Sequence, residues 1–186
     1  MIRKHEFKDI FLSDSAIICH QVNCLGTMGA GIAKQMKQKY PENFDYYKEL
    51  CDEFSYRPEL LLGQCQLTMN SDDTMPLPYT RYIANLFGQV GYGRDKQQTD
   101  LKALFQAFLS LREQSKLINK FTIAIPYGIG CGLGGAEIPL SLVVVGDDFW
   151  LERHEYDGAE WWEYKRMPTE PFETKDFDLQ RVSIYD

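Results

Sequence analysis

Apolar residues alternate weakly with charged ones from Ile2 to Phe11, which predicts a first strand. They then run almost unbroken through Ala16-Ile17-Ile18-Cys19-His20-Gln21-Val22, which predicts a buried strand. That run gives way to Gly26, Gly29 and Gly31, beyond which Ile32, Met36 and Tyr40, with Ala33 beside them, recur at helical spacing until Pro41 stops the pattern. Phe44, Tyr47, Leu50 and Cys51 form the stripe of a second helix over 43–54. Leu60 to Met69 reads as a strand and 70–78 as a polar loop. Arg81 to Phe87 predicts another strand, followed by Gly88, Gly91 and Gly93 and by a helix carrying Leu101, Leu104, Phe105, Phe108 and Leu111. Phe121 to Pro126 is the next strand, and it ends in a second glycine cluster, Gly128, Gly130, Gly132, Gly134 and Gly135.

After Pro139 the pattern changes to strands joined by turns, over 142–145, 147–156 and 159–165, with Asp157-Gly158 as a hairpin turn and a last strand over 181–185 beyond Pro168 and Pro171. Strands alternating with helices predict an α/β architecture with a mixed or largely parallel sheet. Ligands of such sheets bind beyond the strand ends, and both glycine loops are expected at one end. With no internal repeat or linker, the chain is expected to be a single domain over 1–186, Pro139 being the one boundary worth considering.

Composition narrows the chemistry. The 186 residues, 44% hydrophobic and 25% charged, suffice to bury one core. A formal net charge of -7 argues against electrostatic capture by nucleic acid or an anionic membrane, so a phosphate site here has to rely on backbone N–H groups and helix dipoles. The cysteines, Cys19, Cys24, Cys51, Cys65 and Cys131, are odd in number and lack zinc spacing, which fits a reducing compartment. No signal-like or membrane-length apolar run interrupts the expectation of a cytoplasmic protein with no membrane partner.

Two segments carry candidate chemistry. In Asn23-Cys24-Leu25-Gly26-Thr27-Met28-Gly29-Ala30-Gly31-Ile32-Ala33, a glycine turn between strand and helix lets the backbone approach a diphosphate while first-turn N–H groups favour its charge. Alone, such a turn reads equally well as a plain connection, and it is neither a Rossmann fingerprint nor a P-loop. In Ile125-Pro126-Tyr127-Gly128-Ile129-Gly130-Cys131-Gly132-Leu133 a second strand delivers alternating glycines, more than a tight turn requires. Two such loops facing each other can grip a pyrophosphate from both sides.

Together, Val22 to Ala33 followed by Tyr40-Pro41, and Ile125 to Leu133, resemble the two signature loops of macrodomains, and the similarity extends through Tyr82 to Phe87 and Asp95 to Phe108. The chain is most similar to stand-alone bacterial and phage macrodomains of the kind related to ADP-ribose 1''-phosphate phosphatases and terminal ADP-ribose protein glycohydrolases. The resemblance implies a three-layer α/β/α fold with a mixed sheet of six or seven strands, its core in 1–139; the strands and hairpin read in 140–186 depart from the family, which places an amphipathic helix and one strand there. It implies ADP-ribose or ADP-ribose 1''-phosphate as ligand, with ADP-ribosylated protein or nucleic acid as further partners. No metal or cofactor is required, and a monomer is expected.

By the same resemblance, Asp9 accepts from the adenine amino group beside Ile10, although Lys8 stands where the family has glycine. Gly29, Ala30, Gly31 and Ile32 wrap the distal ribose and diphosphate, and Ile129, Gly130, Cys131, Gly132 and Leu133 form the opposing phosphate loop. Asn23 lies by the distal ribose, where its amide can both donate and accept. His20 matches a histidine of the phosphatase relatives that could relay a proton; a core histidine is the alternative. His5 and His154 read as structural. The lysine and aspartate of the glycohydrolase relatives are replaced by Phe87-Gly88 and Gly134, and Lys96 comes several residues too late to stand in for the lysine.

The leading expectation is hydrolysis of ADP-ribose 1''-phosphate, with loop N–H groups stabilising the phosphoryl oxygens and Asn23 or His20 guiding water. A non-catalytic ADP-ribose reader, or a hydrolase removing ADP-ribose from protein or nucleic acid, are the alternatives. Arg94, in Gly91-Tyr92-Gly93-Arg94-Asp95, is a further candidate for the terminal phosphate. The pairs Asp72-Asp73 and Asp147-Asp148 read as solvated loops, and Phe149, Trp150, Trp161, Trp162 and Tyr164 as the packing face of the hairpin.

Overall fold

A computed structural model describes residues 9–13, 15–72, 79–119, 122–126, 128–136, 149–156 and 159–166. The chain divides into two compact units, one of Lys8–Ile138 and one of Met1–Phe7 with Pro139–Asp186. Strands expected over 2–8, 142–145 and 181–185, the acids Asp73, Asp147 and Asp148, and the Asp157-Gly158 turn lie outside the described residues.

In the larger unit, β1 (Ile17–Asn23) is central. It pairs in parallel with β3 (Tyr79–Gln89) on one side and with the short β4 (Ile123–Ala124) on the other. β2 (Cys65–Asp72) runs antiparallel to β3, so the described sheet is mixed, in the order β2-β3-β1-β4. Ile17, Ile18 and Cys19 are fully buried, as expected of a central strand covered on both faces.

Strand alternation sorts the two faces. Ile18, Val22, Ile83 and Phe87 meet Met36, Tyr40, Tyr47 and Cys51 from α1 (Gly31–Lys39) and α2 (Pro41–Glu53). Ile17, Cys19, Ala84 and Leu86 alternate onto the other face, the one left for α3 (Leu101–Leu117), which packs along β3 and β2 through Leu104, Phe108 and Leu111. Burying each such side chain stabilises the fold by about 1.5–3 kcal/mol.

Local chemistry sets the helix ends. Tyr40 precedes Pro41 and takes φ -126° and ψ 72°, leaving the helical region as residues before proline do, so α1 stops and α2 starts with proline at its first position. Asp100 caps α3 by accepting from the Ala103 N–H at 3.0 Å.

Two sequence expectations are corrected here. Residues Ile10–Leu12, assigned to a first strand, form a 3-10 turn, because the Asp9 carboxylate accepts the Phe11 N–H at 3.0 Å and closes the backbone on itself. The strand expected from Leu60 starts only at Cys65: Pro58–Leu61 make another 3-10 turn and Gly63 reverses the chain at φ 84°. β2 then continues to Asp72, into the expected polar loop, because its polar residues stay in register with β3. In the second unit, β5 (Phe149–Tyr156) pairs antiparallel with β6 (Ala159–Arg166).

Candidate functional site

β3, β1 and β4 are parallel neighbours, so the connections that follow them leave the same edge of the sheet. These are the two glycine loops and, after β3, the segment 90–99.

The first loop is organised by Asn23. Its Oδ1 accepts from the Leu25 N–H at 2.9 Å, the Thr27 N–H at 3.3 Å and the Tyr47 hydroxyl at 3.0 Å, while its amide donates to the Thr27 carbonyl at 2.6 Å. The Tyr47 hydroxyl also lies 2.8 Å from the Asn23 carbonyl, tying the loop to α2, and burial pushes this phenol far above its ordinary pKa. The loop then delivers Gly29, Ala30 and Gly31 to the surface, where a Cβ on Gly31, at φ 56°, would meet no atom within 4 Å.

α1 begins there without a side-chain cap, since Ala30 holds an extended N-cap conformation and offers no acceptor. Its first internal bond is from Lys34 N–H to the Ala30 carbonyl at 3.1 Å, which leaves the N–H groups of Gly31, Ile32 and Ala33 without an intrahelical acceptor. Such a helix end favours an anion.

The second loop is a chain of tight turns: Ile129 N–H bonds the Pro126 carbonyl, Cys131 N–H the Gly128 carbonyl, and Ala136 N–H the Gly130 carbonyl. Gly132 is exposed with nothing near its Cβ position, and the N–H groups of Gly130 and Gly132 have no acceptor among the described residues. Ile129 is buried beneath the loop, Cys131 is half-buried, and Leu133 is exposed. Asp9 is exposed at the turn it caps, and the neighbouring Ile10 packs on the same core cluster as Ile32 at the start of α1. The Asp9-Ile10 turn and the first loop therefore share one patch of core.

His20 is not brought to this edge; its surroundings are those of the core histidine, the alternative to a proton relay. It points to the other side of β1 from Gln21 and is fully buried, its Nε2 2.7 Å from Asn85 Oδ1. Asn85 exchanges hydrogen bonds with Asn43 of α2, whose Oδ1 also accepts from Thr68 at 2.7 Å. Burial lowers the His20 pKa to about 4 against the weaker opposing effect of Asn85, so the imidazole is neutral at pH 7 and belongs to a core polar network.

Residues that sequence reasoning passed over complete the edge. Gln21 donates to Gln89 Oε1 at 2.6 Å and to Thr99 Oγ1 at 2.8 Å, and Thr99 donates to the Gly130 carbonyl at 2.9 Å. A glutamine within the apolar run 16–22 was the available signal. Arg94 and Lys96 are exposed on the 90–99 segment, while Phe87 is fully buried and Gly88 lies against the Gln21 side chain.

The model of the Macro domain family matches residues 19–143. Over 92 residues the chain is 34% identical to an ADP-ribose 1''-phosphate phosphatase of Meyerozyma guilliermondii, covering 47% of this chain and 52% of that protein. Over 129 residues it is 28% identical to a DNA ADP-ribosyl glycohydrolase of Mycobacterium tuberculosis, covering 69% of this chain and 33% of that protein. It thus spans about half the length of the first of these relatives and a third of the second. Among solved structures, the macrodomain of Mycobacterium tuberculosis DarG is similar with a TM-score of 0.58 and 27% identity, covering 72% of this chain and 80% of that one. Thermosipho africanus DarTG in complex with ADP-ribose shares the fold at a TM-score of 0.58 and 22% identity, covering 69% of this chain and 33% of that one.

Proposed function

This chain belongs to the macro domain family, and we propose that it binds ADP-ribose across its two glycine loops and hydrolyses the terminal phosphate of ADP-ribose 1''-phosphate. The observation that carries this reading is the open N-terminus of α1, where three N–H groups without an intrahelical acceptor and an uncapped helix dipole stand at the same sheet edge as the N–H groups of Gly130 and Gly132, which have no acceptor among the described residues. Donors of this kind bind a diphosphate in a chain of net charge -7 without recruiting anions generally. Gly29, Ala30, Gly31 and Ile32 hold the distal ribose and diphosphate from one side, and Ile129 to Leu133 hold them from the other. Asp9 and Ile10 receive the adenine.

In the reaction, water attacks phosphorus, the P–O bond to the ribose breaks, and ADP-ribose and phosphate leave. Fixed N–H groups stabilise the charge gathering on the phosphoryl oxygens. Asn23 retains one amide hydrogen beyond its bond to Thr27 and can orient the water or the ribose hydroxyl. A proton relay through His20 is not part of this reading, given its burial.

A second reading, release of ADP-ribose from DNA, is supported by the likeness to the mycobacterial proteins. It has to run by water attack at the anomeric carbon, because Phe87 and Gly88 offer no nucleophilic amine. Incubating the chain with ADP-ribose 1''-phosphate and, in parallel, with an ADP-ribosylated oligonucleotide separates the two. Phosphate release supports the first reading, release of ADP-ribose with recovery of the unmodified oligonucleotide replaces it with the second, and tight binding with neither product leaves a reader.

A further inference from the structure

The second glycine loop is not held at the sheet edge by its own turns alone. Gln21, on the central strand, donates one amide hydrogen to Thr99 Oγ1, and Thr99 passes the bond on to the Gly130 carbonyl. The other amide hydrogen goes to Gln89 Oε1, and Gln89 in turn donates to the Gly91 carbonyl at 2.8 Å. The backbone doubles this link, since the N–H groups of Gln98 and Thr99 both donate to the Gly134 carbonyl, at 2.9 and 3.0 Å. The packing is close enough to exclude side chains: a Cβ on Gly130 would stand 2.8 Å from Gln21 Oε1 and 3.0 Å from Thr99 Cγ2, and one on Gly134 would fall on Thr99 Oγ1 and lie 2.5 Å from the Gly130 carbonyl. Gly132, between them, is open. The loop thus has an inner face, Gly130 and Gly134, seated on Gln21 and Thr99, and an outer face for a ligand.

We infer that Gln21 and Thr99 are positioning residues for ligand binding, acting as a side-chain lock that fixes the second glycine loop, and through Gln89 the 90–97 segment, in the conformation that presents the N–H groups of Gly130 and Gly132. The inference rests on the proposed binding site and deepens it. Neither residue touches the ligand. Their effect is preorganisation, so that binding does not have to order the loop. A hydroxyl is needed at position 99 because it must accept from Gln21 and donate to Gly130 at once.

The test compares Thr99→Val, which keeps the shape and removes the hydroxyl, with Thr99→Ser, which restores it, and with Thr68→Val, which makes the same change in the core network away from the loops. Two quantities are read: affinity for ADP-ribose by calorimetry, and amide hydrogen exchange of 128–136 in the free protein. Thr99→Val is expected to bind about tenfold more weakly and to exchange faster in 128–136. Thr99→Ser is expected to recover both, and Thr68→Val to melt earlier yet keep both. If the wild type binds ADP-ribose and Thr99→Val binds equally well, the lock is refuted. If the wild type does not bind, the proposed function has failed, and exchange alone decides: faster exchange in Thr99→Val upholds the lock and unchanged exchange refutes it.

Discussion

Asn23 shapes the first loop by standing in for backbone partners the turn lacks, and Tyr47 holds Asn23 in place. Removing the phenolic hydroxyl leaves the carbonyl and side-chain oxygens of Asn23 without the donor they share. Tyr47→Phe is expected to cost about 1–3 kcal/mol of stability, measured by denaturant unfolding, and a midpoint unchanged from wild type would show that the loop is held otherwise.

His20 makes a pH prediction. Unfolded, an imidazole takes up its proton as the pH falls through about 6.5, whereas folded His20 refuses it until about pH 4. The contribution of His20 to stability is therefore fully present above pH 6.5, is lost as the pH drops from there to 4, and amounts to on the order of 3 kcal/mol over that window. Since carboxylates also titrate there, the comparison is between variants: His20→Gln should lose less melting temperature between pH 6.5 and 4.5 than the wild type. Equal losses would mean that the buried ring accepts its proton in place. The histidine was visible in the sequence, but its role was not, because the network it joins runs from Asn85 to Asn43 and on to Thr68, on three separate elements.

At the scale of elements, the open end of α1 trades helix stability for anion binding. An N-cap acceptor at position 30 would stabilise the helix by about 1 kcal/mol, and the backbone there is already extended. Ala30→Asp is accordingly expected to raise the melting temperature while weakening ADP-ribose binding, because the new carboxylate occupies the N–H groups meant for phosphate. A variant that gains stability and keeps its affinity would place the phosphates elsewhere. The elements carrying this site were readable from periodicity: the buried run 16–22, the glycines after it and the helix to Pro41 match β1, the first loop and α1. The 3-10 turns at 10–12 and 58–61 were not, since each depends on a local closure, an Asx turn in one case and backbone bonds from Leu60 to Arg57 and Leu62 to Glu59 behind Pro58 in the other, that hydrophobic alternation does not register.

For the whole molecule, the α/β fold and its mixed sheet followed from strands alternating with helices, and the signature loops identified the family that the match over 19–143 establishes. The lock beneath the second loop was out of reach, because Gln21 and Thr99 are separated by most of the sheet in sequence and meet only once β1 and β3 pair. A site built from backbone N–H groups in a chain of net charge -7 also has a signature in solution. Binding that does not depend on surface lysines and arginines should vary little with salt, in contrast to the steep loss seen when cationic side chains neutralise phosphates. The most direct measurement is titration calorimetry of the full chain with ADP-ribose at low and at physiological salt. Saturable one-to-one binding of similar strength at both is the predicted result, and no binding at either, by a chain that is folded, would contradict the assignment of the glycine loops as an ADP-ribose site.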